Sequence, residues 1–317
     1  MKEIGGYFGL EQLVSNEYYK DLIPLNNGRN ALLYLLKARN IKKLYIPYYL
    51  CNSVSDMCIR NSYKFEYYKI DTEFMPIFNK TLADDEYLCV VNDYGQLTNE
   101  KVLDLERQFV QIILDNTQAF FQKPLDGIDT IYSCRKFFGV PDGGYLSTNK
   151  RLGEELEIDI SRERMTHILG RYEGMASDYY NHFQNNDASL KSEPLKNMSK
   201  LTHNILGAID YDRVRRIRNE NYAYLESKLG RLNKLNLTTP EGAFAYPFYV
   251  ENGIEIRKAL AQKKIYISTL WHNVLTDTPE GSIEYDYAKN IMPLPCDQRY
   301  GIDDMKCLVG EIRKCIN

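Results

Sequence analysis

Histidine is scarce in this chain: four in 317 residues, His167, His182, His203 and His272. No two are spaced as zinc ligands, so no metal centre is expected. Cysteine occurs seven times, an odd and scattered set without a Cys-x-x-Cys pair. A disulfide framework is excluded, and the thiols read as small hydrophobes in a reducing compartment. No apolar run approaches the roughly 18–20 residues of a membrane helix. The start, Met1-Lys2-Glu3-Ile4-Gly5-Gly6, lacks a signal peptide's apolar core. A cytoplasmic protein without a membrane partner is expected. An excess of positive charge is also missing: 40 Lys and Arg stand against 43 Asp and Glu, a formal charge of −3. Nucleic acid is therefore a poor partner. The densest basic run, Arg213, Arg215, Arg216 and Arg218, is flanked by Asp210, Asp212 and Glu220, and reads as a solvated helix face. Tryptophan occurs once, as Trp271.

What is present is ordinary globular material: 44% apolar and 26% charged residues, which excludes a disordered or fibrous chain. The length fits one large domain or two moderate ones. Tyrosine, at 26, supplies polar-tipped rings that suit ring or sugar binding as well as packing. Asn30–Ala38 reads as a helix opened by Asn26-Asn27-Gly28. Short strands are expected at Leu44–Ile46, Tyr63–Ile70, Tyr87–Val91, Val110–Leu114, Thr130–Tyr132 and Tyr145–Thr148, with a helix over Val102–Phe109. The run Tyr87–Val91 is continuously apolar, as in a strand covered on both faces. This alternation predicts an α/β domain with a mostly parallel central sheet. Residues 151–230 are polar and helical, weakly ordered around Gln184–Glu193, with a long amphipathic helix over Asp212–Leu229. Strands at Ala245–Val250 and Ile265–Ser268 and helices at Ile254–Gln262 and Asp303–Cys315 follow. The expected division is a large α/β domain, 1–230, and a smaller C-terminal α+β domain, 231–317.

Three segments carry candidate chemistry. Tyr132-Ser133-Cys134-Arg135-Lys136 puts a hydroxyl and an amine just past a strand, at the rim where open α/β sheets bind ligands. The amine can form a Schiff base with an aldehyde, and the hydroxyl can hold a phosphate; a solvated loop lysine is the commoner outcome of such a pair. Ile112–Ala119 ends an apolar strand on Asp115, with Gln118 three residues on. A buried Asp there needs a cationic or hydrogen-bonding partner. A pyridinium nitrogen is one and an ordinary helix cap is another. Leu25–Ala31, with its Gly28 turn, offers free N–H groups to an anion, or a plain cap. In the last third, Trp271 is open to stacking on a sugar or base, or to packing. Tyr7 and Phe8 are open to reaching the site or to packing.

The order of these segments, a phosphate turn, a strand-end Asp and a strand-end Lys about 20 residues later, resembles fold-type I pyridoxal-phosphate enzymes. More narrowly, the chain is similar to the DegT/DnrJ/EryC1/StrS sugar aminotransferases. The likeness is clearest over Gly5–Asn149 and returns at Leu294–Tyr300. It implies a fold-type I transferase with pyridoxal 5'-phosphate as cofactor. Lys136 would be the Schiff-base lysine and Asp115 the partner of the pyridine nitrogen. Gln118 would lie near the ring's 3-oxygen. Ser133 and the turn Asn27-Gly28-Arg29 would hold the phosphate, and Tyr49, after Pro47, would stack on the ring. Asp142-Gly143-Gly144 matches the family's Asp-Gly-Gly after the lysine.

The chain departs from the family in four places. Ser133 and Lys136 are closer than usual, and Asn27 and Arg29 replace Ser and Thr. A His-Gly segment is missing, and the inter-subunit Asn-x-Arg segment, expected near Leu195-Lys196-Asn197, is not matched. The resemblance implies a homodimer that transfers an amino group, from a donor such as glutamate, to a nucleotide-linked keto sugar for surface polysaccharide. The missing segments motivate an alternative: a non-catalytic homologue serving as a binding or regulatory protein.

Overall fold

The computed structural model describes residues 4–316. Its strands are β1 (Ile23–Leu25), β2 (Lys43–Pro47), β3 (Lys64–Ile70), β4 (Pro76–Ile77), β5 (Glu86–Val91), β6 (Ile112–Asp115), β7 (Asp129–Ser133), β8 (Gly144–Ser147), β9 (Tyr246–Tyr249) and β10 (Ile291–Leu294). The helices are α1 (Gly28–Ala38), α2 (Ser53–Arg60), α3 (Asn99–Phe109), α4 (Thr166–Glu173), α5 (Tyr180–Ser192), α6 (Lys200–Gly207), α7 (Tyr211–Leu229), α8 (Gly253–Gln262), α9 (Val274–Asp277), α10 (Ile283–Asn290) and α11 (Ile302–Ile316).

Eight strands form one sheet in the order β1-β8-β7-β6-β5-β2-β3-β4. The run β7-β6-β5-β2-β3 is parallel, and antiparallel pairs close both edges. Parallel pairing requires crossovers, which α2 provides between β2 and β3 and α3 between β5 and β6. Both faces are covered. One carries a cluster of α1 and α2 residues with Leu44, Ile46, Cys89, Ile113 and Ile131. The other carries Tyr45, Leu88, Val90, Ile112 and Leu114 with Val102, Leu105 and Tyr287. Tyr87–Val91 is thus enclosed on both sides, as its continuous apolar run predicts. A second, two-stranded sheet pairs β9 with β10 and packs with α7, α8 and α11 around Tyr246, Phe248, Leu260, Met292 and Leu308.

Helix α1 begins two residues before the predicted helix, because Asn27 caps it: its Oδ1 accepts from Asn30 N at 2.8 Å. Such a cap is worth about 1 kcal/mol over alanine. Strand β6 begins at Ile112 rather than Val110, since Val110 is 70% exposed at φ +60°, closing α3. Residues 180–192 form α5 rather than a weakly ordered stretch. Only Asn186 and Leu190 are buried there, so its apolar signal is thin. The expected strand at Ile265–Ser268 is absent: the segment pairs with no strand, β9 bonding β10 alone. Tyr7 and Phe8 are 99% and 94% exposed and are not packed against the described residues.

Candidate active site

Strands β2, β5, β6 and β7 run parallel and deliver their carboxyl ends to one rim, at Pro47, Val91, Asp115 and Ser133. The segments after these ends, with the N-terminus of α1, form the site. Asp115 ends its strand as the sequence predicts, and Ser133, expected just past a strand, is the last residue of β7. Asp115 is 4% exposed, and its Oδ1 accepts from Thr117 N at 2.9 Å. This local turn leaves its carboxylate at the rim. Lys136 follows on a single turn in which Phe137 N and Phe138 N donate to Cys134 O. The turn is tied down twice: Cys134 N donates to Gly143 O, and Gly143 N to Asn26 O. The lysine loop and the α1 turn are therefore one hydrogen-bonded unit.

The Lys136 amine donates to Thr117 Oγ1 at 2.9 Å. Burial pushes its pKa below the usual lysine range; Asp115, Cys51 and Asp93 pull the other way. Two aromatic rings wall it: the Nζ lies 5.3 Å from the Trp271 ring centre and 5.9 Å from that of Phe244. Gln118 donates to Asp93 Oδ1 at 3.0 Å and accepts from Tyr94 N at 3.2 Å. Asp93 is 1% exposed. Burial and then the Asp115 charge push its pKa well above the usual carboxylate range, against the Gln118 bond and Lys136. Asp93, Phe244 and the lysine-side placement of Trp271 were not part of the sequence reading. Asn92-Asp93 directly follows the buried strand β5, a signal close to that of Asp115 at the end of β6.

At the α1 turn, space is the governing constraint. A Cβ on Gly28 would lie 3.2 Å from Thr117 Cγ2 and 3.6 Å from Ser133 Cβ. A Cβ on Gly144 would meet Asn27 C and Gly28 N at 2.7 Å, so the strand passes too close for any side chain. The buried Asn27 Nδ2 has no hydrogen-bond partner. The Arg29 guanidinium has no ion pair among the described residues, and burial lowers its pKa. Arg135 reaches only Asp187, at 3.4 Å. A turn of free N–H groups with unanswered positive charge is an anion cradle.

Asp142 turns inward. It is fully buried and accepts from Ser199 N and Ser199 Oγ at 2.9 and 2.7 Å and from Thr202 Oγ1, at the cap of α6. Tyr49 is placed away from solvent, 0% exposed, with its hydroxyl 3.0 Å from that of Tyr94 and its ring among Phe74 and Tyr287; no ring face is open for stacking. Asn197 bonds its own chain, donating to Leu156 O at 2.9 Å.

Arg218 corrects the solvated-face reading of its helix. It is 1% exposed, and its guanidinium donates to Gln298 Oε1, Ala243 O and Phe137 O at 2.7, 2.7 and 3.1 Å. Gln298 Nε2 also donates to Phe137 O, at 2.7 Å. The carbonyl next to Lys136 is thus held by two donors from the last third of the chain.

No family model matches the sequence, and no curated protein matches it. Solved structures do match in shape. A DegT DnrJ EryC1 StrS aminotransferase from Brucella abortus is 14% identical, with a TM-score of 0.63 over 92% of this chain and 85% of that one. NtdA from Bacillus subtilis with bound cofactor PMP is 13% identical, with a TM-score of 0.65 over 92% and 72%. The sugar aminotransferase CalS13 from Micromonospora echinospora is 14% identical, with a TM-score of 0.58 over 92% and 87%. At such identity the likeness is one of architecture: the chain has the fold-type I fold of pyridoxal-phosphate-dependent aminotransferases.

Proposed function

We propose that the protein is a pyridoxal-phosphate-dependent aminotransferase. Its acceptor is a nucleotide-linked keto sugar and its donor an amino acid such as glutamate. It works as a cytoplasmic homodimer in surface polysaccharide biosynthesis, with residues 1–230 as the cofactor domain and 231–317 as the smaller domain. The observation that carries the reading is the Lys136 amine, biased toward its neutral form at a strand-end rim with Asp115 beside the anion cradle.

The residues fit the cofactor. The unpartnered Asn27 Nδ2, the N–H groups at Gly28 and Arg29, the Arg29 guanidinium and the Ser133 hydroxyl would take its phosphate. Asp115 would face the pyridine nitrogen and Gln118 the ring's 3-oxygen. Pyridoxal phosphate, when bound, supplies an aldehyde for amines and a ring that accepts electron density. The chain supplies the rest. Lys136 is nucleophile and then proton carrier, and burial lowers its pKa, which favours the neutral, nucleophilic amine. The Thr117 hydroxyl orients that amine. Arg218 and Gln298, through the Phe137 carbonyl, fix the turn on which it sits. The buried Asp93 holds the Gln118 amide in one orientation. The sugar acceptor, the pathway and the dimer rest on the family resemblance alone. In an amino-transfer assay with glutamate, Lys136→Ala abolishes transfer; retained turnover refutes the assignment.

A further inference from the structure

We propose that Trp271 is a substrate-binding residue whose indole N–H donates to an oxygen of the acceptor sugar held over the Lys136 amine. The proposal rests on the reading of Lys136 above and adds a contact to it.

Two independent observations point to a missing partner. The Trp271 ring centre is 5.3 Å from Lys136 Nζ, so the indole borders the reacting amine. Its Nε1 is buried with no hydrogen-bond acceptor among the described residues. A buried donor without a partner is unfavourable, and most native donors find one. This one is kept in place by its neighbours. Leu270 and Val274 are buried on either side, Val274 N donates to Trp271 O, and Asn273 Nδ2 donates to Leu50 O at 3.0 Å. The segment is anchored while its one polar tip is left unanswered, beside the groups assigned to chemistry. A site built around an unanswered donor selects ligands that bring an acceptor.

The acceptor has two possible sources, an oxygen of the cofactor or one of the substrate. The oxygens and ring nitrogen of the cofactor would already be met by Asn27, Gly28, Arg29, Ser133, Asp115 and Gln118, all from the rim of the large sheet. Trp271 arrives from the chain's last third, which favours the substrate. An indole pairs a flat apolar face with one donor at its edge, which matches a hydroxylated sugar ring.

Trp271 is the only tryptophan, so 15N-labelled protein gives a single indole N–H resonance. The spectrum is recorded alone, with pyridoxal phosphate, and with uridine or thymidine diphosphate glucose, each with and without pyridoxal phosphate. The expected result is a downfield shift with a sugar nucleotide and no such shift with pyridoxal phosphate alone. Trp271→Phe weakens sugar-nucleotide binding by roughly five- to hundredfold, the loss of one buried donor's partner. Its circular dichroism stays that of the parent. A downfield shift with pyridoxal phosphate alone assigns the donor to the cofactor and overturns the proposal. An indole unmoved by either sugar nucleotide overturns it too, even where borohydride fixes the cofactor on Lys136. Failure of that fixation, with the sugar-nucleotide shift intact, overturns the cofactor reading and leaves the Trp271 contact standing.

Discussion

Replacing Arg218 with methionine removes a buried guanidinium whose three hydrogen bonds join α7 to the turn after Lys136 and to segments near residues 243 and 298. Burial pushes its pKa down to about 10, so the group stays charged at neutral pH. Phe137 O keeps a donor in the variant, Gln298 Nε2. Ala243 O and Gln298 Oε1 lose their strong partners. Ala243 O, left with the weak Cys296 thiol alone, and the part-buried Gln298 Oε1, left unanswered, cost about 1–3 kcal/mol each. Methionine returns part of this, because the charge no longer has to be desolvated. A net loss of about 3 kcal/mol follows. At roughly 2–4 °C per kcal/mol, the figure for chains of about 150–250 residues, the melting temperature falls by about 6–12 °C. Differential scanning calorimetry measures it. Arg218→Lys restores charge but not the three-way fork, and recovers only a minor part of the loss. A melting temperature unchanged by Arg218→Met, or full recovery with lysine, refutes the reasoning.

Other perturbations follow from the same geometry. Asp93 has its pKa raised above the unfolded value, so the folded state holds a proton the unfolded state releases. Its contribution is present below the unfolded carboxylate pKa and is lost as pH rises toward the folded one. Asp93→Asn is therefore close to parental stability at acid pH and gains on the parent as pH rises, in urea titrations across that range; a constant difference would falsify the raised Asp93 pKa. Gly144→Ala forces a Cβ within 2.7 Å of the Asn27 and Gly28 backbone. It should destabilise by about 1–3 kcal/mol or more and abolish binding of inorganic phosphate measured by calorimetry; parental phosphate affinity counts against the cradle.

Much of the site was legible because its parts are local. Asp115 ends a run of apolar residues, Gly28 opens a helix, and Ser133 and Lys136 flank one turn. Each follows from a stretch of fewer than about ten residues, the range over which strand and cap patterns operate. What was not legible depends on distant chain. Trp271 and Phe244 meet Lys136 across more than a hundred residues. β1 and β10 are three and four residues long and exist only because β8 and β9 pair with them. Arg218 was misread for a different reason. It falls in the buried stripe Tyr211, Val214, Arg218, Tyr222, Leu225 and Leu229, whose helical spacing was visible. Its charge was weighed above its period. Ile265–Ser268 differs the other way: its composition favours a strand, but the segment pairs with neither β9 nor β10.

The account turns on the state of one amine. Purified protein incubated with pyridoxal phosphate, reduced with borohydride and mapped by peptide mass spectrometry tests it directly. The predicted result is a yellow protein before reduction, with the label on Lys136 and lost in Lys136→Ala. A protein that stays colourless, or a label spread over surface lysines with Lys136 unmodified, contradicts the account and favours the non-catalytic alternative.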